Sequence, residues 1–159
     1  KSISNCKVLY FRIHLVKRLT YILFTFLLLT FSCKKEDVEP EFKITLKNTT
    51  PINLQEFQEN VMVTIEYQHP EGFMGFSDPD YLSLEIHDSR LTNPDFYHLQ
   101  PLSPPNQTIS IQGKINIEID SPFRFGNGNS ETLTYSLRIQ DNNKKWSNTI
   151  TTPIITVNK

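Results

Sequence analysis

Ile109-Ser110-Ile111-Gln112-Gly113-Lys114-Ile115-Asn116-Ile117-Glu118-Ile119 carries isoleucine at every odd position except 113, where glycine stands. Successive side chains of an extended chain point to opposite faces, so this spacing makes one face apolar and the other polar. With Gln112-Gly113-Lys114 as a three-residue loop, Ile111 faces Ile115 and Ile109 faces Ile117, both pairs on one face of a hairpin. A two-residue loop would pair Ile109 with Asn116 and scatter the isoleucines, so the pattern predicts the three-residue register. Gly113 would supply the positive φ that such a loop requires.

The same period of two recurs along the chain. Phe42, Ile44 and Leu46 alternate with lysine and threonine, and Val61, Val63, Ile65 and Tyr67 alternate with Met62, Thr64 and Glu66. Leu82, Leu84 and Ile86 alternate with Ser83, Glu85 and His87; Leu133, Tyr135, Leu137 and Ile139 alternate with polar residues; Ile155 and Val157 close the series. β-Branched and aromatic residues dominate the apolar positions, as a pleated surface prefers. Turn-forming clusters separate these runs: Asn48–Pro51, His69–Gly72, Asp78-Pro79-Asp80, Pro101–Asn106 and Gly126–Asn129. Leu54–Asn60 is too short for more than two helical turns and reads as a loop or one turn. About seven short strands in about 115 residues predict an all-β domain over 42–159, a single antiparallel β-sandwich.

Charge divides the chain unevenly. Residues 1–32 hold five basic groups and no acid, while residues 33–159 hold eleven basic and seventeen acidic groups, a formal charge of −6. An acidic domain repels phosphate, which argues against nucleic acid as a partner. Two cysteines, Cys6 and Cys33, exclude a disulfide-stapled scaffold and a cysteine-built zinc site.

Leu19–Phe31 is a run of thirteen uncharged, mostly apolar residues behind Arg12, Lys17 and Arg18. As a helix it would span roughly 20 Å, short of the ~30 Å hydrocarbon core of a bilayer. A basic stretch followed by a short apolar run is the pattern of a secretory signal peptide, here 1–32. The sequence begins with lysine and has no Met before Met62. An alternative start at Val16 would leave an ordinary short signal and make 1–15 upstream translation.

The run ends in Thr30-Phe31-Ser32-Cys33, which resembles a bacterial lipobox. The usual Leu three places before the cysteine is replaced by Thr30, with Leu29 one place earlier. The resemblance implies lipidation of Cys33 after cleavage behind Ser32, and hence a membrane partner reached through the lipid anchor. Lys35-Glu36-Asp37 resembles the export signal of Bacteroidota surface lipoproteins, which implies display on the outer face of the outer membrane; the alternative is the periplasmic face. Residues 33–41 then form an acidic tether. The closing third, Tyr135-x-Leu137-x-Ile139-x-Asp141, Trp146-Ser147-Asn148 and Thr151–Val157, resembles immunoglobulin-like and fibronectin type III-like domains of bacterial surface proteins. In that resemblance Trp146 covers one end of the core, and no catalytic residue is implied.

Candidate site residues are few. His69, His87 and His98 show no metal-ligand spacing and read as solvated surface histidines. Asp78 and Asp80, with Asp88 and Asp95 near them, are weak calcium candidates, because Pro79 between the first two fits a plain turn equally well. There is no Gly-x-Ser-x-Gly elbow, and no cysteine is left after lipidation. The expectation is therefore a non-enzymatic module without a cofactor, acting in adhesion or envelope assembly through an envelope protein. The alternative is a glycan-binding accessory module of a nutrient-uptake system. Phe73, Phe76, Phe96 and Tyr97 are the aromatics that would form its platform, and they could equally cap the ends of the core.

Overall fold

The computed structural model describes residues 41–103 and 107–159. Cys33, Lys35, Glu36, Asp37 and the leader lie outside the described residues. The described chain is all-β, with ten strands: β1 (Lys43–Thr50), β2 (Asn53–Gln55), β3 (Val61–His69), β4 (Leu82–Asp88), β5 (Asp95–His98), β6 (Ile111–Ile119), β7 (Ser130–Leu133), β8 (Tyr135–Ile139), β9 (Ile150–Thr151) and β10 (Ile155–Asn158). They form three sheets, ordered β1-β3-β6, β2-β10-β7 and β5-β4-β8-β9. All pairs are antiparallel except β2 with β10.

The Gln112–Lys114 hairpin does not form. Ile111–Ile119 is one continuous strand, paired residue for residue with β3 from Ile119 opposite Val61 to Ile111 opposite His69. Gly113 sits mid-strand opposite Tyr67, and a Cβ there would lie 2.6 Å from the tyrosine Oη. The glycine thus makes room for a ring across the ladder and turns nothing. Unbroken parity of the isoleucines on both sides of Gly113 suits a straight strand as well as a three-residue loop, so parity alone does not separate the two.

The long run through Leu133, Tyr135, Leu137 and Ile139 is divided. β7 pairs with β10, whereas β8 pairs with β4 and β9, so the chain changes sheets at Thr134. There Ser89 replaces a strand partner, its N–H reaching Thr134 O and its Oγ accepting from Thr134 N–H. The returning chain bends at the matching point: Thr152 N–H donates to Tyr135 O and Thr152 Oγ1 accepts from Tyr135 N–H. Side-chain hydroxyls thus satisfy backbone groups that the bend takes out of the ladder.

One buried cluster joins the sheets, built on Ile44, Val61, Val63, Ile65, Leu137, Ile139, Ile155 and Val157. In β4 the expected alternation is displaced at its start. An irregularity between Leu82 and Leu84 leaves Leu82 exposed and Ser83 fully buried. Trp146 does not close an end of the core. It is half-buried beneath the Arg138 guanidinium, 4.5 Å from its ring centre.

Two seams between sheets differ. At one, the Asn148 side chain accepts from Ile44 N–H and donates to Ile44 O at 2.9 Å each, acting as a strand in miniature beside β1. At the other, β5 and β6 are both edge strands, and among the described residues no strand pairs with the outer edge of either.

Candidate functional site

That second seam opens as a groove of about 660 Å³. Its floor is core: Leu84 and Ile86 of β4, Ile117 of β6 and Tyr135 at the start of β8. Its walls are Tyr97 on β5 and Ile119 on β6, with Asp95, Glu118 and Asp120 around the rim. On β3 the inward Val61, Val63 and Ile65 are completely covered, but on β6 the same-facing Ile111, Ile115 and Ile119 are only half-buried. Ile117 between them is 8% exposed, so the apolar face of the sheet is partly open along this edge, where no further strand among the described residues pairs.

Phe123 and Phe125 stand at one end of the groove, 45% and 50% exposed. Their two-residue spacing puts both rings on one side of the loop, edge to face at 5.3 Å. Phe57, 71% exposed, stacks on Phe123 at 5.4 Å with the planes 10° apart. Its backbone φ of 63° is unusual for a bulky residue and costs about 1–2 kcal/mol. An exposed ring gains little from burial, so folding alone does not account for a strained backbone that presents it.

Three ionic contacts hold these rings in place. Arg124 grips Glu56 with both prongs of its guanidinium, Nε to Oε2 at 3.1 Å and Nη2 to Oε1 at 2.7 Å, which fixes Phe57 against Phe123. Another Arg124 nitrogen donates to Gly128 O, closing the Gly126–Asn129 turn. Arg90 lies 4.2 Å above the centre of the Phe125 ring and donates to Asp88, Glu131 and Phe123 O. Burial works against the Arg90 charge, but hydrogen bonds to Asp88 and Glu131 outweigh it and raise its pKa. The Glu131 carboxyl is held below its usual value by the Gly126 N–H and then by Arg90. Tyr135 is pushed up to about 12, chiefly by burial and then by the Asp88 charge, so its phenol stays a neutral wall.

The four aromatics singled out from sequence do not share one surface. Phe73 is half-buried, edge-on to His69, and Phe76 stacks on Tyr81 at 3.8 Å. Phe96 and Tyr97 are both exposed but are adjacent on β5 and face opposite sides of the sheet. Tyr97 enters the groove; Phe96 lies opposite Glu85 on the outer face. The site residues that sequence reasoning missed are Phe57, Phe123, Phe125 and Arg90. Phe123-Arg124-Phe125 was open to notice, being two large rings with polar spacing next to a Gly/Asn turn.

His69 is not a solvated surface histidine; it is 2% exposed. Its Nδ1 accepts from the Glu71 and Gly72 N–H groups at 3.0 Å each, so Nε2 carries the proton and donates to Asp141 Oδ2 at 3.2 Å. Both ring nitrogens are engaged, which leaves none to serve as a general base. His87 and His98 are half-buried and bond the carbonyls of Leu91 and Tyr81. Asp78 Oδ1 accepts from the Asp80 N–H, the ordinary geometry of an Asx turn, and both residues are exposed. Asp88 is committed to Arg90, while Asp95 faces the groove. Among the described residues no three His, Cys, Asp or Glu side chains group as metal ligands, and no helix is long and apolar enough to cross a membrane.

Comparison of the chain with protein-family models, with curated proteins and with solved structures finds no match.

Proposed function

We propose that the chain is a lipid-anchored envelope protein whose folded domain, an immunoglobulin-like sandwich opened along one seam, is a non-enzymatic binding module. Cys33 would carry the anchor and Lys35-Glu36-Asp37 the signal for surface display; the lipobox-like ending of the apolar run supports this part. Thioether-linked and amide-linked acyl chains contribute about 0.8 kcal/mol per buried CH₂, enough together for stable attachment. Cys33→Ser is expected to move the protein from the membrane to the soluble fraction; a variant that still sediments with membranes would remove the lipid anchor from the proposal.

The observation that carries the binding role is the preorganised aromatic group, Phe57, Phe123 and Phe125, held by Arg90 and Arg124 beside a groove that reaches the core. Rigid rings lose little entropy when a partner covers them, and aromatic anchors dominate protein interfaces. A protein partner is favoured over a glycan, because Arg90 and Arg124, the strongest donors beside the rings, are engaged within the chain. A sugar would need free donors and acceptors in addition to ring faces.

Replacing Phe123 and Phe125 together by serine should leave the melting temperature within a few degrees of the parent, since both rings are exposed. Retention of the partner from an envelope extract should weaken by roughly 30-fold, the effect of losing about 2 kcal/mol of hot-spot energy. Undiminished retention would exclude the aromatic end of the groove as the contact surface. Binding on a glycan array that disappears in the same variant would transfer the role to a sugar.

A further inference from the structure

We infer that the groove between β5 and β6 accepts an extended basic-and-apolar peptide strand from a protein partner, which adds to the outer edge of β6; this rests on the binding role proposed above. Three observations lead there. β6 is a nine-residue edge strand, paired with β3 along its whole length without a register shift, so its other edge is straight. β5, the facing edge, is four residues long and lies beside the irregularity at Leu82–Leu84, which makes it the poorer template. Of the inward isoleucines of β6, Ile111, Ile115 and Ile119 are half-buried, while Ile117 joins Leu84 and Ile86 in a groove floor of core side chains.

A strand laid along β6 would meet both needs at once. Its backbone would pair with the free edge, and every second side chain would point onto Leu84, Ile86 and Ile117. The groove follows β6 from Asn116 to its end at Ile119 and on to Asp120, room for about five extended residues, or roughly 16 Å. Natural edge strands are usually shielded by charge, proline or a covering segment. Among the described residues no strand covers the outer edge of β6; Leu99, which lines the groove, and Leu102 pack on the core, with Leu102 N–H bonded to Met74 O at 2.9 Å.

Charge specifies the rest of the ligand. Asp95 on one wall and Asp120 on the other both line the groove, and neither has a cationic partner within salt-bridge distance among the described residues. Arg90, the cation at that end, is taken by Asp88 and Glu131. A strand with lysine or arginine flanking its apolar residues complements this rim; an acidic one is repelled.

The test uses the full chain and synthetic seven-residue peptides of alternating valine and polar residues, made in matched lysine and glutamate series. The lysine peptides should bind at least tenfold tighter than the glutamate peptides. Asp95→Asn with Asp120→Asn should abolish that difference without changing the melting temperature. N-methylation of alternate peptide amides separates strand addition from side-chain recognition. Methylation in the phase facing β6 should weaken binding at least tenfold, and the opposite phase should leave it unchanged. Equal binding of both phases, a lack of charge preference or no binding by either series would overturn the strand assignment. So would a dimer of the chain that the peptides dissociate, which would make the occupant a second copy. The Phe123/Phe125 result stands apart from these outcomes: partner retention that needs the rings, with no peptide pairing, defeats the strand and leaves the binding role intact.

Discussion

Asp141→Ala should lower stability by about 3 kcal/mol and the melting temperature by about 12–15 °C. Asp141 is 2% exposed; one carboxylate oxygen accepts from His69 Nε2 and the other from the Lys145 N–H at 2.7 Å. The His69 donor is buried and the Lys145 N–H is part-buried, so removing the carboxylate leaves two N–H groups without this acceptor, the imidazole one in a site shielded from water. That penalty exceeds the net value of the hydrogen bonds themselves. The pair also spans the structure, since His69 ends β3 in one sheet and Asp141 follows β8 in another. His69→Ala should cost about as much. The double variant should cost less than the sum, because each single change already breaks the shared contact. A melting temperature within about 3 °C of the parent for Asp141→Ala would show that the pair does not hold the sheets together.

How much of this was legible follows from what periodicity can report. Alternation of apolar residues located β1, β3, β4, β8 and β10, because each has one face on the core and one outside. The all-β class followed from these runs. Periodicity does not say which strand lies alongside which. Gly113 shows why: a glycine permits a turn and also permits a close neighbour, and only the position of Tyr67 across the ladder decides. The change of sheet at Thr134 is invisible for the same reason, since residues 133–139 keep one parity while their partners change from β10 to β4.

The site was less legible than the fold. Phe57 and Phe123 are 66 residues apart in sequence and meet only because Glu56 and Arg124 pair. The His69–Asp141 contact spans 72 residues. Before a Pro in a turn-like stretch, His69 has every local mark of an exposed residue, and it is covered by residues its own neighbourhood does not reveal, Phe42 with its ring centre 4.6 Å away and Asp141 bonded to Nε2. Tyr97 and Phe96 are neighbours in sequence, but strand alternation sends the two rings to opposite faces, and only Tyr97 reaches the groove.

Gly75→Ala should be the most damaging single change, costing roughly 4 kcal/mol and leaving much of the chain unfolded at 37 °C. Gly75 has φ +82, a conformation that costs an L side chain about 1–2 kcal/mol on its own. The second part is steric: a Cβ would lie 2.2 Å from Gln100 O and 2.5 Å from its carbonyl carbon, so backbone must move. The two bonds flanking this contact, Phe76 N–H to Leu99 O and Leu102 N–H to Met74 O, hold residues 99–102 over the core next to the groove. Pushing that segment outward would uncover Leu102 and shift Leu99 in the groove wall, so any folded remainder should also bind its partner more weakly. Gly126→Ala is the matching control, because its nearest neighbour would be the Glu131 Oε2 at 3.6 Å, an ordinary contact. Its effect should stay within about 0.5 kcal/mol. Chemical denaturation of the three proteins measures both: equal midpoints for Gly75→Ala and the parent would mean that the 74–76 and 99–102 segments are not locked as described.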